Sequence, residues 1–322
     1  MGSGSWATAI TKLLSNNLAN VGWYVRDQTV ADYVTQHRRN PKYLSSVELD
    51  IDKITLYSSV NQAVSNSDVL IVVIPSAFID IWMEGLTEDI KGKFVVSAVK
   101  GIIPQKNQTV LDYLHTTFGT DYSNMGFVTG PCHAEEIALE RLSYLTFACE
   151  DEDNAKTVAR QFAAPFVRTI TCTDIYGTEY AAILKNIYAI AAGICHGLGY
   201  GDNFHAVFVS NAQVELSQFL QQVFPTQRNA NYSAYLGDLL VTCYSQFSRN
   251  RTFGTMIGKG YRVHDAQLEM NMVAEGYYAT QCMYDLNQKY KVTLPIVECV
   301  YRVLYQGMSA KTEIENLTKK LH

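Results

Sequence analysis

The stretch VLIVVI, residues 69–74, is apolar at all six positions. A short run of this kind, without polar alternation, predicts a parallel β-strand covered on both faces by helices. Working outward, further short β-branched runs stand at residues 22–25, 54–56, 94–98, 125–128, 145–148 and 167–171, separated by longer mixed stretches. That alternation predicts a layered α/β domain. Residues 152–162 carry a helical pattern with Asp151 placed as its N-cap. After about Thr173 the texture changes. Residues 176–194 set Tyr180, Ile183, Leu184, Ile187, Ala191 and Ile194 at spacings of three and four, and residues 206–223, 269–290 and 295–305 also read as helices. The expected organisation is an α/β domain over residues 1–172 and an all-helical domain over 173–322.

Composition narrows the function classes. The chain has 322 residues, 48% hydrophobic and 18% charged, a globular balance. Lys plus Arg number 26 against 31 Asp plus Glu, a net charge of -5 that disfavours a phosphate-gripping nucleic-acid binder. The longest stretch free of charged residues, 186–201, holds four glycines and falls short of the roughly 20 apolar residues that cross a bilayer. The first ten residues lack the basic start and apolar stretch of a signal peptide, so a cytosolic protein is expected. Seven cysteines are scattered singly, which predicts reduced, mostly buried thiols, and the seven histidines show no zinc-binding spacing.

Five clusters are candidates for chemistry. Gly2-Ser-Gly4-Ser-Trp-Ala7 has the G-x-G-x-x-A form that lets backbone N–H groups approach a pyrophosphate at a helix N-terminus. Asp27 follows Ala7 by 20 residues, where an acid would meet a ribose. Lys100 ends a predicted buried strand and precedes Gly101. Gly130-Pro-Cys132-His133-Ala134 is a turn after a strand, which either holds an anion or a carboxamide or is an ordinary turn. Lys185-Asn186 lies in an apolar helix with no other full charge between Glu179 and Asp202. Loss of hydration would lower that lysine's pKa toward proton exchange at neutral pH, unless its ammonium snorkels to water. Asp238 precedes the tetrapeptide Ser248-Arg249-Asn250-Arg251, whose guanidinium forks suit phosphate, although alone it would read as a solvated loop.

Taken in order, GSGSWATA, RRNPKYL, VVIPS, SAVKGI, GPCHAEE, LKNIYAIAAGICHGLGYGDN, GDLLVTC, SRNRTFG, VAEGY and LPIVECVYRVLY resemble the bacterial NAD(P)-dependent glycerol-3-phosphate dehydrogenases over nearly the whole chain. The resemblance implies a Rossmann-type N-terminal domain, a helical C-terminal domain and an active site in the cleft between them. It implies reversible hydride transfer between NAD(P)H and C2 of dihydroxyacetone phosphate, giving sn-glycerol 3-phosphate for glycerophospholipid synthesis. Matched residue by residue, Lys185 takes the proton-transfer role and Lys100 neutralises oxyanion and phosphate. Asn186 and Asp238 orient substrate and Lys185, Gly130 and Cys132 line the substrate site, and Ser248, Arg249 and Asn250 bind its phosphate. Gly2, Gly4, Ser5, Trp6, Arg26, Lys100, Ala134, Arg249, Val273 and Glu275 match cofactor contacts. A homodimer is expected.

The chain departs from its relatives at three places. Cys132-His133 stands where many have Ser or Thr before an aromatic residue. Arg26 beside Asp27 leaves NAD and NADP both open. The apolar strand that relatives carry ahead of the glycine motif is missing, which predicts a gap of about 10 Å between its former neighbours. Either another segment fills that gap or the nucleotide site is distorted, so weak dinucleotide binding is expected of this chain, with a start at an internal Met as the explanation. The alternatives are a catalytically impaired nucleotide-binding or oligomerising homologue, or another two-domain dehydrogenase such as a ketopantoate reductase or hydroxyacyl-CoA dehydrogenase. The SRNR and LKN segments argue against the latter two.

Overall fold

The structure is a computed structural model and describes residues 1–270 and 274–322. The chain falls into two compact units: Met1–Val99 with Val110–Ile175, and Lys100–Thr109 with Tyr176–His322. A single boundary at residue 172 does not reproduce this division, because the short hairpin that follows Lys100 packs with the helices.

The first unit runs α1 (Ser5–Ser15), β1 (Val21–Tyr24), α2 (Gln28–His37), β2 (Ile54–Tyr57), α3 (Val60–Ser65), β3 (Val69–Val72), α4 (Ile79–Met83) and β4 (Phe94–Ser97). The chain then makes β5 (Ile102–Ile103) and β6 (Gln108–Thr109) in the second unit. It returns through α5 (Val110–Phe118), β7 (Met125–Thr129), α6 (Ala134–Ala138), β8 (Ser143–Cys149), α7 (Glu152–Gln161) and β9 (Val167–Cys172). Every strand expected from the β-branched runs is present, and Asp151 caps α7 by accepting from the Asp153 and Asn154 amides. The β5–β6 hairpin had no expectation; two residues per strand are too few for a pattern to register.

The strands of the first unit form two sheets. One pairs β1 with β2, and the other has the order β3-β4-β7-β8-β9, parallel except for β7 with β8. Among the described residues β1 and β3 belong to separate sheets, and the expected gap lies between them. The glycine turn nevertheless keeps its anchors. The Met1 nitrogen donates to the Ile71 carbonyl at 2.8 Å, Val73 N donates to Met1 O, and Gly2 N donates to Tyr24 O. Two residues, Met1 and Gly2, thus bridge the two sheets at this end. Below it lies a cavity of about 420 Å³ lined by Ile10, Leu14, Gly22, Val69, Ile71 and Phe162 among others. This corrects the reading of residues 69–74 as covered on both faces: Val69, beside the opening, is 45% exposed.

The second unit continues with α8 (Ile175–Gly197), α9 (Asp202–Val223), a π-helical turn (Ser233–Gly237), α10 (Asp238–Tyr244) and α11 (Arg249–Gly258). It ends with α12 (Val263–Glu269), α13 (Glu275–Tyr290), α14 (Pro295–Tyr305) and α15 (Ala310–Thr318). Of the expected helix over 269–290, α13 covers Glu275–Tyr290, while Glu269 ends α12, after which the backbone turns extended at Met270. The start of α13 is set instead by a tertiary bond, Gly276 N donating to Asn250 Oδ1 at 2.9 Å, which periodicity cannot register. Helix α8 is buried on every side between Tyr180 and Cys195. Such a helix is the core of its unit rather than a surface element with one apolar stripe.

Glycines set how closely α11 approaches α8. A Cβ built on Gly193 would lie 2.1 Å from Arg251 O, on Gly254 2.0 Å from Ile190 O, and on Gly258 2.3 Å from Ile194 O. Backbone therefore touches backbone at this crossing. A second junction ties α9 to α14. The fully buried Glu215 carboxylate accepts from Ile296 N at 2.7 Å and Val297 N at 3.2 Å, the open amides of the α14 N-terminus.

Two outcomes are expected. Gly254→Ala would gain about 1 kcal/mol at an open helical site, but the clash with Ile190 should reverse the sign and cost about 1–3 kcal/mol in chemical denaturation. Burial, opposed by the two amides, raises the Glu215 carboxyl to about 8. Folded chains then hold a proton that unfolded chains have lost between about pH 4.5 and 8, so stability falls as pH rises through that window. Thermal melts from pH 5 to 8 should decline in the parent chain and be flatter in Glu215→Gln.

Candidate active site

In the first unit, residues 2–4 turn from the top of the sheet into α1. Gly2 has φ +123°, and a Cβ there would sit 2.3 Å from Val73 O, so both conformation and space demand glycine. Trp23 Nε1 donates to Gly2 O at 2.6 Å. No side chain caps α1, whose N-cap is Gly4 and whose first turn holds no acid. Ser5 and Trp6 lie in that first turn. A tight turn leading into a helix start without an acidic or capping side chain fits the pyrophosphate of a dinucleotide, which meets amide N–H groups and the positive end of the helix dipole.

The segment RRNPKYL also belongs to this end, through a residue that sequence reasoning quoted but gave no role. Asn40 is completely buried. Its Nδ2 donates to Ser3 O at 3.0 Å and Thr8 Oγ1 at 2.8 Å, while its Oδ1 accepts from the Lys42 and Tyr43 amides. It ties the loop after α2 to the glycine turn. Asp27 is the N-cap of α2: Oδ1 accepts from Thr29 N and Oγ1, and Oδ2 accepts from Lys42 Nζ at 2.8 Å. The Lys42 ammonium, then Thr29, hold the Asp27 carboxyl at about 2. Arg26 is exposed at the end of β1.

Gly130, Cys132 and Ala134 lie after β7 in the same unit. Gly130 has φ +121° and its Cβ would meet Tyr144 O at 2.6 Å; Cys132 Sγ contacts Gly130 O at 3.2 Å. Ala134 opens α6.

The second unit brings Lys100, Lys185, Asn186 and Asp238 together. Lys185, on α8, is 4% exposed and ion-paired to Asp238 Oδ1. Lys100 Nζ lies 3.6 Å from the other oxygen, Oδ2, with its side chain 18% exposed. Asn186 Nδ2 donates to Lys100 O at 2.7 Å, fixing the segment that carries Lys100 to α8. Asp238 is 1% exposed and follows the π-helical turn, whose wider winding precedes the first residue of α10. Two ammonium groups face one buried carboxylate, an arrangement suited to an anion or a developing oxyanion. Buried and held on this carboxylate, Lys185 does not snorkel as a surface lysine would.

Ser248-Arg249-Asn250-Arg251 is not a solvated loop. Ser248 caps α11 by accepting from Arg251 N, and Ser248 and Asn250 are buried. Asn250 spends its side-chain oxygen on Gly276 N. A Cβ on Gly276 would lie 2.5 Å from Asn186 O, so α8, α11 and α13 meet at this point. Glu275 is the first residue of α13. Val273 lies outside the described residues. None of the seven cysteines lies in a disulfide, and Cys132 and Cys172 are only half-buried. Among the described residues no His, Cys, Asp and Glu grouping could hold a metal, and no helix is long and apolar enough to cross a membrane.

Residues 1–155 match the family model of the NAD-dependent glycerol-3-phosphate dehydrogenase N-terminus, and 174–315 that of its C-terminus. A glycerol-3-phosphate dehydrogenase [NAD(P)+] from Chlorobium limicola is 33% identical over 319 residues, 98% of this chain and 96% of that protein. One from Prosthecochloris aestuarii is 34% identical over the same shares. The crystal structure of glycerol-3-phosphate dehydrogenase from Coxiella burnetii superposes with a TM-score of 0.90 at 25% identity, covering 98% of this chain and 97% of that one. A D-mandelate dehydrogenase complex with NADH, at a TM-score of 0.61 and 14% identity, shares the fold alone. With both family models matched in order and full-length relatives above 30% identity, the chain belongs to the NAD-dependent glycerol-3-phosphate dehydrogenase family.

Proposed function

We propose that this chain is an NAD(P)-dependent sn-glycerol-3-phosphate dehydrogenase that interconverts dihydroxyacetone phosphate and sn-glycerol 3-phosphate, a precursor for glycerophospholipids. The observation that carries the residue roles is the buried Asp238 held between Lys100 and Lys185. A bound nicotinamide supplies the hydride to C2 in reduction and takes it in oxidation. Lys185 Nζ gives a proton to the C2 oxygen in reduction and recovers one from the C2 hydroxyl in oxidation. Lys100 offsets the negative charge that develops on that oxygen. Asp238 holds both ammonium groups in place, and Asn186 holds the Lys100 backbone.

Ser248, Arg249 and Asn250 take the substrate phosphate at the start of α11, where charge-assisted donors and helix amides coincide. Gripping the phosphate supplies binding free energy remote from C2 and can align the reacting carbon. Gly130 and Cys132 line the substrate site. The turn at Gly2 and Gly4, with Ser5, Trp6, Arg26, Ala134, Lys100, Arg249, Val273 and Glu275, receives the coenzyme. On this reading the first unit is the cofactor domain and the second the substrate domain. The enzyme acts in the cytoplasm as a homodimer, for which the exposed Tyr232, Tyr244 and Phe247 offer contact surface. The comparisons lend no support to a catalytically silent homologue, since full-length relatives align over 98% of the chain.

Oxidation of NADH and NADPH by dihydroxyacetone phosphate should be catalysed by the intact chain. Lys185→Ala should lower kcat by about 10²- to 10⁴-fold, the usual weight of a general acid. Undiminished turnover in Lys185→Ala would overturn the assignment. Asp238→Asn should lower kcat and raise KM together, because it releases both lysines; a change in KM alone would assign Asp238 to binding only.

A further inference from the structure

The reaction leaves open which coenzyme the adenosine end of the site selects, and the geometry around Asp27 bears on that choice. An acid at this position recognises a coenzyme without a 2′-phosphate by accepting both ribose hydroxyls. A carboxylate offers about four lone-pair sites. On Asp27, Thr29 N at 3.0 Å and Thr29 Oγ1 at 2.6 Å occupy Oδ1, and Lys42 Nζ at 2.8 Å occupies Oδ2. Too few acceptor sites remain for a diol unless Lys42 leaves. Its backbone is not free to drift, because the buried Asn40 holds the Lys42 amide on one side and the glycine turn on the other.

The charge balance points the same way. Asp27 and Lys42 cancel formally. Of the neighbouring basic side chains, Arg38 is paired with Asp52 at 3.4 Å and Arg39 with Glu48 at 3.8 Å. Arg26 makes no ion pair among the described residues. The Lys42 ammonium has three donors and spends one on Asp27. With side chains 58% and 41% exposed, Lys42 and Asp27 are open to a ligand. What this surface presents is one arginine fork and a half-engaged ammonium: donors for a dianion rather than acceptors for a diol.

We propose that Lys42 is a coenzyme-specificity residue: by occupying Asp27 and standing with Arg26, it makes the adenosine end of the site select the 2′-phosphorylated coenzyme, NADPH, over NADH. The inference rests on the family reading for the location of the dinucleotide, and it concerns binding rather than the reaction.

The test uses probes of the adenosine end alone. Isothermal titration of the full chain with adenosine 2′,5′-bisphosphate and with AMP should give at least tenfold tighter binding of the bisphosphate. Lys42→Met should shrink that ratio at least tenfold through loss of bisphosphate affinity, with AMP changed less than threefold. NADPH and NADH fluorescence titrations should move in parallel. Asp27→Asn, which releases Lys42, should leave bisphosphate binding unchanged or tighter. An unaltered ratio in Lys42→Met, a parent chain that prefers AMP, or a tenfold loss of AMP affinity in Asp27→Asn would each overturn the proposal. Loss of both ligands in Lys42→Met, with an unchanged thermal melt, would also overturn it by making Lys42 a general anchor. A chain that keeps the bisphosphate preference but does not turn over dihydroxyacetone phosphate would instead overturn the proposed reaction.

Discussion

The contact on which the candidate site depends is a backbone-to-backbone approach of three helices in the second unit. Gly193, Gly254 and Gly258 leave no room for a Cβ between α8 and α11, and Gly276 leaves none between α13 and the Asn186 carbonyl. Because no side chain can act as a spacer, the separation of these helices is set by van der Waals contact of main-chain atoms, which hardly compresses. Lys185 and Asn186 ride on α8, Ser248, Arg249 and Asn250 open α11, and Glu275 opens α13. The relative positions of those groups are therefore tied to the glycines. The Asn250 bond to Gly276 N adds direction to the contact.

On that frame the chemistry is a matter of charge in a dry place. Asp238 is nearly inaccessible and serves two ammonium groups, so removing any one of the three leaves a buried charge with a different balance. Lys100 reaches this cluster from a segment that the chain sends out of the α/β unit as a short hairpin and then withdraws. The excursion makes sense once its product is seen: a second cation placed on a carboxylate that the helices already hold. The bond from Asn186 to Lys100 O secures the return.

The nucleotide end works by different means. Its glycine turn is suspended between two sheets by Met1 and Gly2 backbone bonds, with a cavity of about 420 Å³ beneath it. The expected alternatives were a filled gap or a distorted site. What the structure has instead is a cavity between the two sheets and a turn held by backbone bonds from Met1 and Gly2 and by side-chain bonds from Trp23 and Asn40. Asn40 and Lys42 then shape the rim further out, by hydrogen bonds that neither spacing nor composition announces.

Much of this was legible in the residues. The β-branched runs, the N-cap at Asp151, the change of texture near residue 173 and the ordered motifs all reflect local preferences or short-range patterns, which a chain carries in its sequence whatever it packs against. Lys185 could be singled out as a lone charge in an apolar helix, but its partner could not, since Asp238 lies 53 positions away in the sequence and is delivered by the π-helical turn. The break between α12 and α13, the buried first turn of α11 and the half-exposed start of β3 differ from expectation for one reason. Each depends on what lies alongside, and a periodic pattern reports only how a segment would pack, not which neighbour is there. The sequence by itself determined the element types, the family and the roster of chemical groups; only the tertiary structure decided which of those groups touch, because contact between distant residues is chosen by the packing of whole elements.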